Sequence, residues 1–179
     1  MMYRMLNLFL VCLVAGSSVA QSNALKTGQA APEIHMPRLN GTAFALSEMR
    51  GRLILIDFWA SWCAPCVKEQ PQLKALYEKF APFVKAEKFE ILGVSLDKNK
   101  QTWEKTVARL KISWTQVSDL KFWKSPVATD YNIEELPFNV LVNAQGKIAA
   151  INLHGKELED FIQQHLQQSP PPAANDQPK

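Results

Sequence analysis

The most informative segment of the sequence is Ile54-Leu-Ile-Asp-Phe-Trp-Ala-Ser-Trp-Cys-Ala-Pro-Cys66. Its first part is a continuous apolar run interrupted only by Asp57, which predicts a central strand buried on both faces of a sheet. The two cysteines then open a segment with helical periodicity, and Pro65 suits the first turn of a helix, where its missing N–H costs nothing. The stretch therefore predicts a buried strand followed directly by a helix with a cysteine pair at its start.

The cysteine pair, Cys63 and Cys66, has the spacing of a reversible disulfide. The first thiol benefits most from the helix start, because unpaired N–H groups and the helix dipole stabilise a thiolate there. We expect Cys63 to be the nucleophile, exposed at the helix start, and Cys66, one turn further in, to be the shielded resolving thiol. A purely structural disulfide is not favoured, because so small a loop constrains the unfolded chain little.

Two segments carry a family resemblance. The run Asp57-Phe-Trp-Ala-Ser-Trp-Cys-Ala-Pro-Cys66 resembles the active-site segment of the thioredoxin superfamily. The opening Gly28-Gln-Ala-Ala-Pro32, with the hairpin turn signal Asn40-Gly41 after it, is similar to the extracytoplasmic TlpA/ResA-like branch. The resemblance covers about residues 28–168. It implies an α/β fold, a thioredoxin-like three-layer sandwich whose central mixed sheet has an N-terminal hairpin and an inserted helix–strand element. The activity it implies is that of a thiol–disulfide oxidoreductase.

Asp57 is the first further candidate for the site. A carboxylate in a central strand costs several kcal/mol to bury unless it is paired, so packing alone does not explain it. Burial should raise its pKa until it can accept the proton of Cys66 during resolution, which is the role proposed for the matching Asp of thioredoxins. The alternative is an Asp at a strand end whose side chain reaches water.

Glu69 is a second candidate, and its position leaves two interpretations open. It follows Cys66 by three residues on the helix face that carries Leu73 and Leu76, which points it inward near the cysteines. In the TlpA/ResA-like branch a Glu at this position is linked to tuning the cysteine pair. Taken alone, it is a solvated helix charge.

Three residues are candidates for substrate contact. Leu136-Pro137 matches the position of the superfamily's cis-proline, whose geometry exposes the backbone of residue 136 for strand-like pairing with a substrate segment. Leu136 is a departure from the superfamily, in which most members carry Thr or a β-branched residue there, and we expect it to change substrate preference. We expect Trp62 to form part of the apolar surface around Cys63 and Trp59 to pack. No role is expected for His154.

Metal binding is the main alternative function. One Cys-x-x-Cys supplies two ligands, and no second pair or His-x-His cluster completes a zinc site. A copper carrier would have one more residue between the cysteines, and a peroxiredoxin-type peroxidase would need Thr-x-x-Cys. We therefore predict no metal and no cofactor, and we keep a copper chaperone-like thioredoxin-fold protein as the alternative.

The composition excludes some partners. Hydrophobic residues make up 47% of the chain and charged residues 21%, which is typical of a globular domain with a core. The net charge of +3 is small and the basic residues are interspersed with acidic ones, so we predict no nucleic-acid partner. We expect a monomer.

The two ends of the chain lie outside the predicted domain. Residues 1–20 have the charged, apolar and small-residue regions of a signal peptide, with cleavage predicted after Ser18-Val19-Ala20. Residues 21–27 form a leader, residues 28–168 the thioredoxin-like domain, and residues 169–179 a proline-rich disordered tail.

These ends predict a periplasmic or otherwise extracytoplasmic protein, with a membrane association only if the N-terminal segment stays uncleaved. Its partners are then protein thiols and disulfides together with an upstream membrane or periplasmic electron donor. The dipeptide Ala64-Pro65 leaves the direction of electron flow open, and Asp57 favours a reductant.

Overall fold

The computed structural model describes residues 24–168. The predicted signal peptide over residues 1–20 and the predicted tail over residues 169–179 lie outside the described residues, as does the first part of the leader. Within residues 24–168, none of the helices is long and apolar enough to cross a membrane.

The described residues form seven strands, five α-helices and two short 3₁₀ turns. The strands are β1 His35–Pro37, β2 Ala43–Ala45, β3 Leu53–Trp59, β4 Phe89–Ser95, β5 Thr115–Val117, β6 Phe138–Val142 and β7 Ile148–Ile151. The helices are α1 Ala64–Lys79, α2 Ala81–Lys85, α3 Lys100–Leu110, α4 Pro126–Asp130 and α5 Gly155–Gln168. The 3₁₀ turns are Leu46–Met49 and Phe122–Lys124.

Five of the strands form one mixed sheet in the order β5-β4-β3-β6-β7. The central strand β3 is parallel to β4 and antiparallel to β6, and all seven of its residues are buried. This confirms the α/β fold class and the buried central strand that the apolar run predicts. The inserted element is also present, as α3 followed by β5 at the sheet edge.

The N-terminal hairpin is confirmed as well. Strands β1 and β2 pair antiparallel with Met36 opposite Phe44. Between them Gly41 has a φ of +83°, in the left-handed region that glycine tolerates best, and Asn40 Oδ1 accepts a hydrogen bond from the Thr42 N–H at 3.0 Å. The Asn40-Gly41 pair therefore makes the turn that its residue types predict.

The two faces of β3 are covered by different layers. Ile54, Ile56 and Phe58 belong to an apolar cluster with residues of the hairpin and of α4. Leu53 and Leu55 belong to a second cluster with residues of α1 and α5. Because side chains alternate along a strand, Asp57 falls on the second face and is directed towards α1.

The helix after the cysteines is confirmed as α1, and a further short helix follows it. Phe80 closes α1, and α2 begins one residue later with Pro82 in its first turn. Pro82 has no N–H to continue the hydrogen-bond ladder of α1, and its fixed φ suits the start of a new helix. The chain therefore bends here and returns to the sheet as β4.

Candidate active site

Cys63 and Cys66 form a disulfide at the start of α1. The turn after β3 is closed by the Cys63 N–H, which donates to the Ala60 carbonyl at 3.1 Å. Cys63 is the N-cap of α1 with extended backbone angles, and its Sγ accepts a hydrogen bond from the Cys66 N–H at 3.2 Å. The sulfur of Cys63 therefore occupies the position where the free N–H groups of a helix start stabilise negative charge.

The expectation that Cys63 is exposed is wrong for this disulfide form. Cys63 is 5% exposed and Cys66 is 1% exposed. Both sulfur-bearing residues belong to an apolar cluster with Trp59 and with Trp103 from the inserted helix α3, and Leu136 packs against the same cluster. Part of this cluster, including Trp103 and Leu136, comes from segments far away in sequence, whose position the cysteine motif does not encode.

Asp57 is 3% exposed, which rules out the alternative of a strand-end side chain in water. It accepts one hydrogen bond, from Gln70 Nε2 at 2.8 Å. Burial raises the pKa of the Asp57 carboxyl to about 7, against the opposing effect of the Gln70 hydrogen bond. The charge of Glu69 adds to the rise of this pKa, and the charge of His154 lowers it.

Gln70 is a residue that the sequence analysis missed. It lies one turn after Cys66 on α1 and is 2% exposed. Its Nε2 is held by Asp57, whereas its Oε1 is buried with no hydrogen-bond partner among the described residues. A Gln four positions after the second cysteine, on the inward side of the helix, was the available signal.

Glu69 is half-buried rather than solvated, with a side chain that is 14% exposed. Its Oε1 lies 2.7 Å from His154 Nδ1, and His154 Nε2 lies 3.0 Å from Asn152 Oδ1. His154, to which the sequence analysis assigned no role, therefore connects the segment before α5 to the start of α1. No local pattern could reveal this contact, because the two residues are 85 positions apart.

The predicted substrate-contact residues lie around the disulfide. Trp62 is 47% exposed, and among residues 24–168 it is the single exposed large hydrophobic side chain. Its Nε1 donates to the Leu96 carbonyl at 3.3 Å. The Leu136–Pro137 peptide bond is cis, as the resemblance implied. Trp59 packs in the core, as expected, and donates from Nε1 to Gln116 Oε1 at 2.9 Å.

The site thus combines a disulfide that can take up two electrons with a buried carboxylate that can hold a proton at neutral pH. In the part of the chain that the structure describes, no three or more His, Cys, Asp or Glu side chains are grouped in a way that could hold a metal ion.

Comparison with known proteins identifies the family. The AhpC/TSA family matches residues 27–151. The chain belongs to this family. Among curated proteins, this AhpC/TSA-family chain is 30% identical over 151 residues to "Thiol-disulfide oxidoreductase ResA" of Geobacillus kaustophilus, covering 84% of this chain and 82% of the relative.

Solved structures agree. The thioredoxin domain of a thiol-disulfide oxidoreductase from Bacteroides vulgatus superposes with a TM-score of 0.72 and 34% identity, covering 79% of this chain and 99% of that one. A thiol-disulfide oxidoreductase from Bacteroides fragilis gives a TM-score of 0.72 and 34% identity, covering 77% and 100%. The family resemblance is confirmed: this AhpC/TSA-family chain is a thioredoxin-like thiol–disulfide oxidoreductase.

Proposed function

We propose that this oxidoreductase reduces disulfides of protein substrates outside the cytoplasm. The observation that carries the proposal is the Cys63–Cys66 pair at the start of α1 with the buried Asp57 carboxyl on the strand that leads to it. A dithiol that forms this disulfide delivers two electrons to a target. A carboxyl that accepts the proton of Cys66 when the disulfide forms favours this transfer of electrons to the target.

The proposed cycle starts from the dithiol. The Cys63 thiolate attacks a target disulfide, forms a mixed disulfide and releases the first target sulfur as a thiolate. Cys66 then attacks the Sγ of Cys63, which closes the Cys63–Cys66 disulfide and releases the second target sulfur. The target gains two electrons, and an upstream donor returns the pair to the dithiol.

Asp57 is proposed to be the general base of the second step. The Cys66 thiol must lose its proton to attack, and the carboxyl at position 57 is the buried titratable group directed towards α1. Its pKa of about 7 suits this task, because a base is most effective when its pKa lies near the working pH.

Gln70 is proposed to position the Asp57 carboxyl in both protonation states. Its Nε2 donates to the carboxylate as observed. Once Asp57 is protonated, a rotation of the amide presents Oε1, which is unpartnered in the described residues, to the new O–H. Glu69 and His154, paired at 2.7 Å, adjust the same carboxyl through their charges.

Trp62, Leu136 and Pro137 are proposed to contact the substrate. Trp62 offers an exposed apolar surface next to Cys63, and the backbone at the cis Leu136–Pro137 bond is suited to pairing with an extended target segment. The apolar Leu136 side chain packs on the cysteine cluster and favours targets with an apolar residue near their cysteine.

The proposed location is extracytoplasmic, on the strength of the signal-peptide pattern in residues 1–20. Disulfides form and persist in such compartments, so a protein reductant has substrates there. The proposed domain spans residues 28–168, acts as a monomer, and receives electrons from a membrane or periplasmic donor.

Trapping tests the assignment of the two thiols. Replacing the resolving thiol in Cys66→Ser should accumulate mixed disulfides with target proteins on Cys63, which non-reducing gels and mass spectrometry detect. The matched variant Cys63→Ser should trap none. Equal trapping by both variants would contradict the assignment of Cys63 as the nucleophile.

The redox potential tests the direction of electron flow. We expect equilibrium with glutathione to give the Cys63–Cys66 pair a potential on the order of −250 mV or lower, in the range of reducing thioredoxins. A potential near about −120 mV, which is typical of a strong oxidant, would reverse the proposed direction.

A further inference from the structure

Three aromatic side chains meet beside the disulfide. The Trp62 ring lies 5.2 Å from that of Phe122 and 6.3 Å from that of Trp123, between ring centroids. Phe122 and Trp123 are 6.1 Å apart and both are only partly buried. The aromatic surface at the nucleophilic cysteine is therefore larger than Trp62 alone, and the added part comes from the 3₁₀ turn before α4.

A lysine lies on this surface. Lys98 Nζ lies 4.1 Å from the centroid of the Phe122 ring, within the range of a cation–π contact. The Lys98 side chain is exposed, and it forms no salt bridge with a carboxylate of the described residues. The Lys98 ammonium group is therefore both in contact with the Phe122 ring and accessible to an anionic group.

The turn that presents these rings is held by its own hydrogen bonds. Asp119 accepts from the Lys121 N–H at 3.1 Å and from the Ser125 hydroxyl at 2.9 Å. Leu120 and Phe122 both have φ values near +58°, which non-glycine residues rarely adopt. Asp119, the carboxylate of this turn, is hydrogen-bonded within the turn and lies 4.0 Å from Lys121 Nζ, so its charge is offset locally and Lys98 remains as the cation on the rings.

We propose that Trp62, Phe122, Trp123 and Lys98, here called the aromatic–lysine surface, dock a segment of the substrate protein that carries an acidic and an apolar residue close to its reacting cysteine. The inference rests on the proposed function. The aromatic rings cover the apolar residue, and Lys98 pairs with the carboxylate, so the surface selects among targets that the disulfide itself cannot distinguish.

The occupant follows from charge complementarity. A basic segment would meet Lys98 without a compensating acid on this surface, and a purely apolar segment would leave the ammonium group desolvated and unpaired. A segment with an acid satisfies both requirements. The contact also lies next to Trp62, so a bound acidic–apolar segment places its cysteine near Cys63.

The test uses three peptides with one cysteine each, activated as a mixed disulfide with thionitrobenzoate. They differ in one residue beside a shared Phe near that cysteine: Asp, Asn or Lys. For each peptide, kcat/KM is divided by the kcat/KM of the same protein variant for bis(2-hydroxyethyl) disulfide, a small neutral compound. This ratio isolates docking from the chemistry of the cysteines.

The wild-type ratio should be highest for the Asp peptide, by about 5-fold over Asn, the size of an exposed charge pair. Lys98→Gln should remove this preference and Lys98→Glu should reverse it in favour of the Lys peptide. Lys147→Gln is the matched control, because Lys147 is exposed in the turn between β6 and β7 at the other end of the central sheet. It should keep the wild-type preference.

Equal ratios for the three peptides with the wild-type protein would overturn the proposed docking surface. A preference for the Asp peptide that survives Lys98→Glu would do the same. A concentration-dependent dimer in light scattering that Phe122→Ala abolishes would also overturn it, because the surface would then belong to a second copy. A wild-type protein that fails to reduce bis(2-hydroxyethyl) disulfide would count against the proposed function instead.

Discussion

Two buried aspartates differ in the number of hydrogen bonds that they accept. One lies on β3, and the other lies just after the neighbouring parallel strand β4. Asp57 on β3 is 3% exposed and Asp97, two residues after the end of β4, is 2% exposed. Asp97 accepts hydrogen bonds from the Ser61 N–H at 3.0 Å, the Ser61 hydroxyl at 2.5 Å and the Ser95 hydroxyl at 2.7 Å. Asp57 accepts one, from Gln70.

The difference shows that the number of donors, and not burial by itself, separates a structural carboxylate from a reactive one. Three donors compensate the desolvation of the Asp97 charge and tie the turn before Cys63 to the end of β4. A single amide donor leaves the Asp57 charge poorly compensated, so its pKa rises to about 7. The same residue type therefore holds the loop in one place and is suited to exchange a proton in the other.

The largest effect is expected from Asp57→Asn. The change keeps the volume and removes the proton acceptor, so resolution of the mixed disulfide should slow by roughly 100-fold. Stopped-flow measurement of thiol release from a preformed Cys63 mixed disulfide checks this. In the wild type the rate should rise with pH through about 7, and the variant should lose that rise. Unchanged turnover would contradict the assignment of Asp57 as the reactive carboxylate.

The same substitution should change the pH dependence of stability. The pKa of Asp57 is raised from 3.8 to about 7 on folding, so the unfolded chain releases this proton first. The free energy of unfolding of the wild type should therefore fall as pH rises from about 4 to about 7, by up to about 4 kcal/mol. In Asp57→Asn the free energy of unfolding should not fall over this pH range, and above pH 7 the variant should be more stable than the wild type. Denaturant titrations of the oxidised form measure both.

Asp97→Ala should have the complementary signature. It leaves the donors of Ser61 and Ser95 without their acceptor, which should lower the free energy of unfolding by about 3 kcal/mol. The pH at the midpoint of the resolution rate should stay where it is in the wild type. A shifted midpoint would mean that Asp97 also takes part in proton transfer and would contradict its assignment as a structural carboxylate.

Gln70→Leu removes the one hydrogen-bond donor to Asp57 and should increase its difference from Asp97. Without that hydrogen bond the pKa of Asp57 should rise further, moving the midpoint of the resolution rate upward by roughly one pH unit. Gln72→Leu, an exposed glutamine on the same helix, is the control and should leave the midpoint in place. Equal midpoints in the two variants would show that the amide only fills space.

The smallest effects are expected from the pair next to Asp57. Removing the carboxylate in Glu69→Gln should lower the midpoint of the resolution rate, and removing the imidazole in His154→Gln should raise it. Each shift should amount to a few tenths of a pH unit, the size of a screened charge interaction. Shifts of the same sign would indicate that the pair acts through packing.

The central elements could be predicted because their signals are local. The apolar run before the cysteines predicts β3, the helical period after them predicts α1, and Asn40-Gly41 predicts the hairpin turn. The apolar neighbours of Asp57 favoured its burial, since a strand that is apolar on both faces leaves no side in water, and the exposed fraction of 3% excluded the strand-end alternative. Periodicity and turn chemistry depend on residues that are close in sequence, so these elements can be predicted from the amino-acid sequence alone.

The fold class and the cysteine pair were thus predictable from the amino-acid sequence, which also favoured a buried carboxylate at position 57 over one that reaches water. Their surroundings depend on the tertiary structure: the Gln70 amide on Asp57, His154 against Glu69, and the α3 residues in the apolar cluster of the cysteines. These contacts join segments that are distant in the chain, and their geometry depends on how the helices pack on the sheet. Reactivity depends on those same contacts, because the compensation of a buried charge is set by the groups that surround it in space.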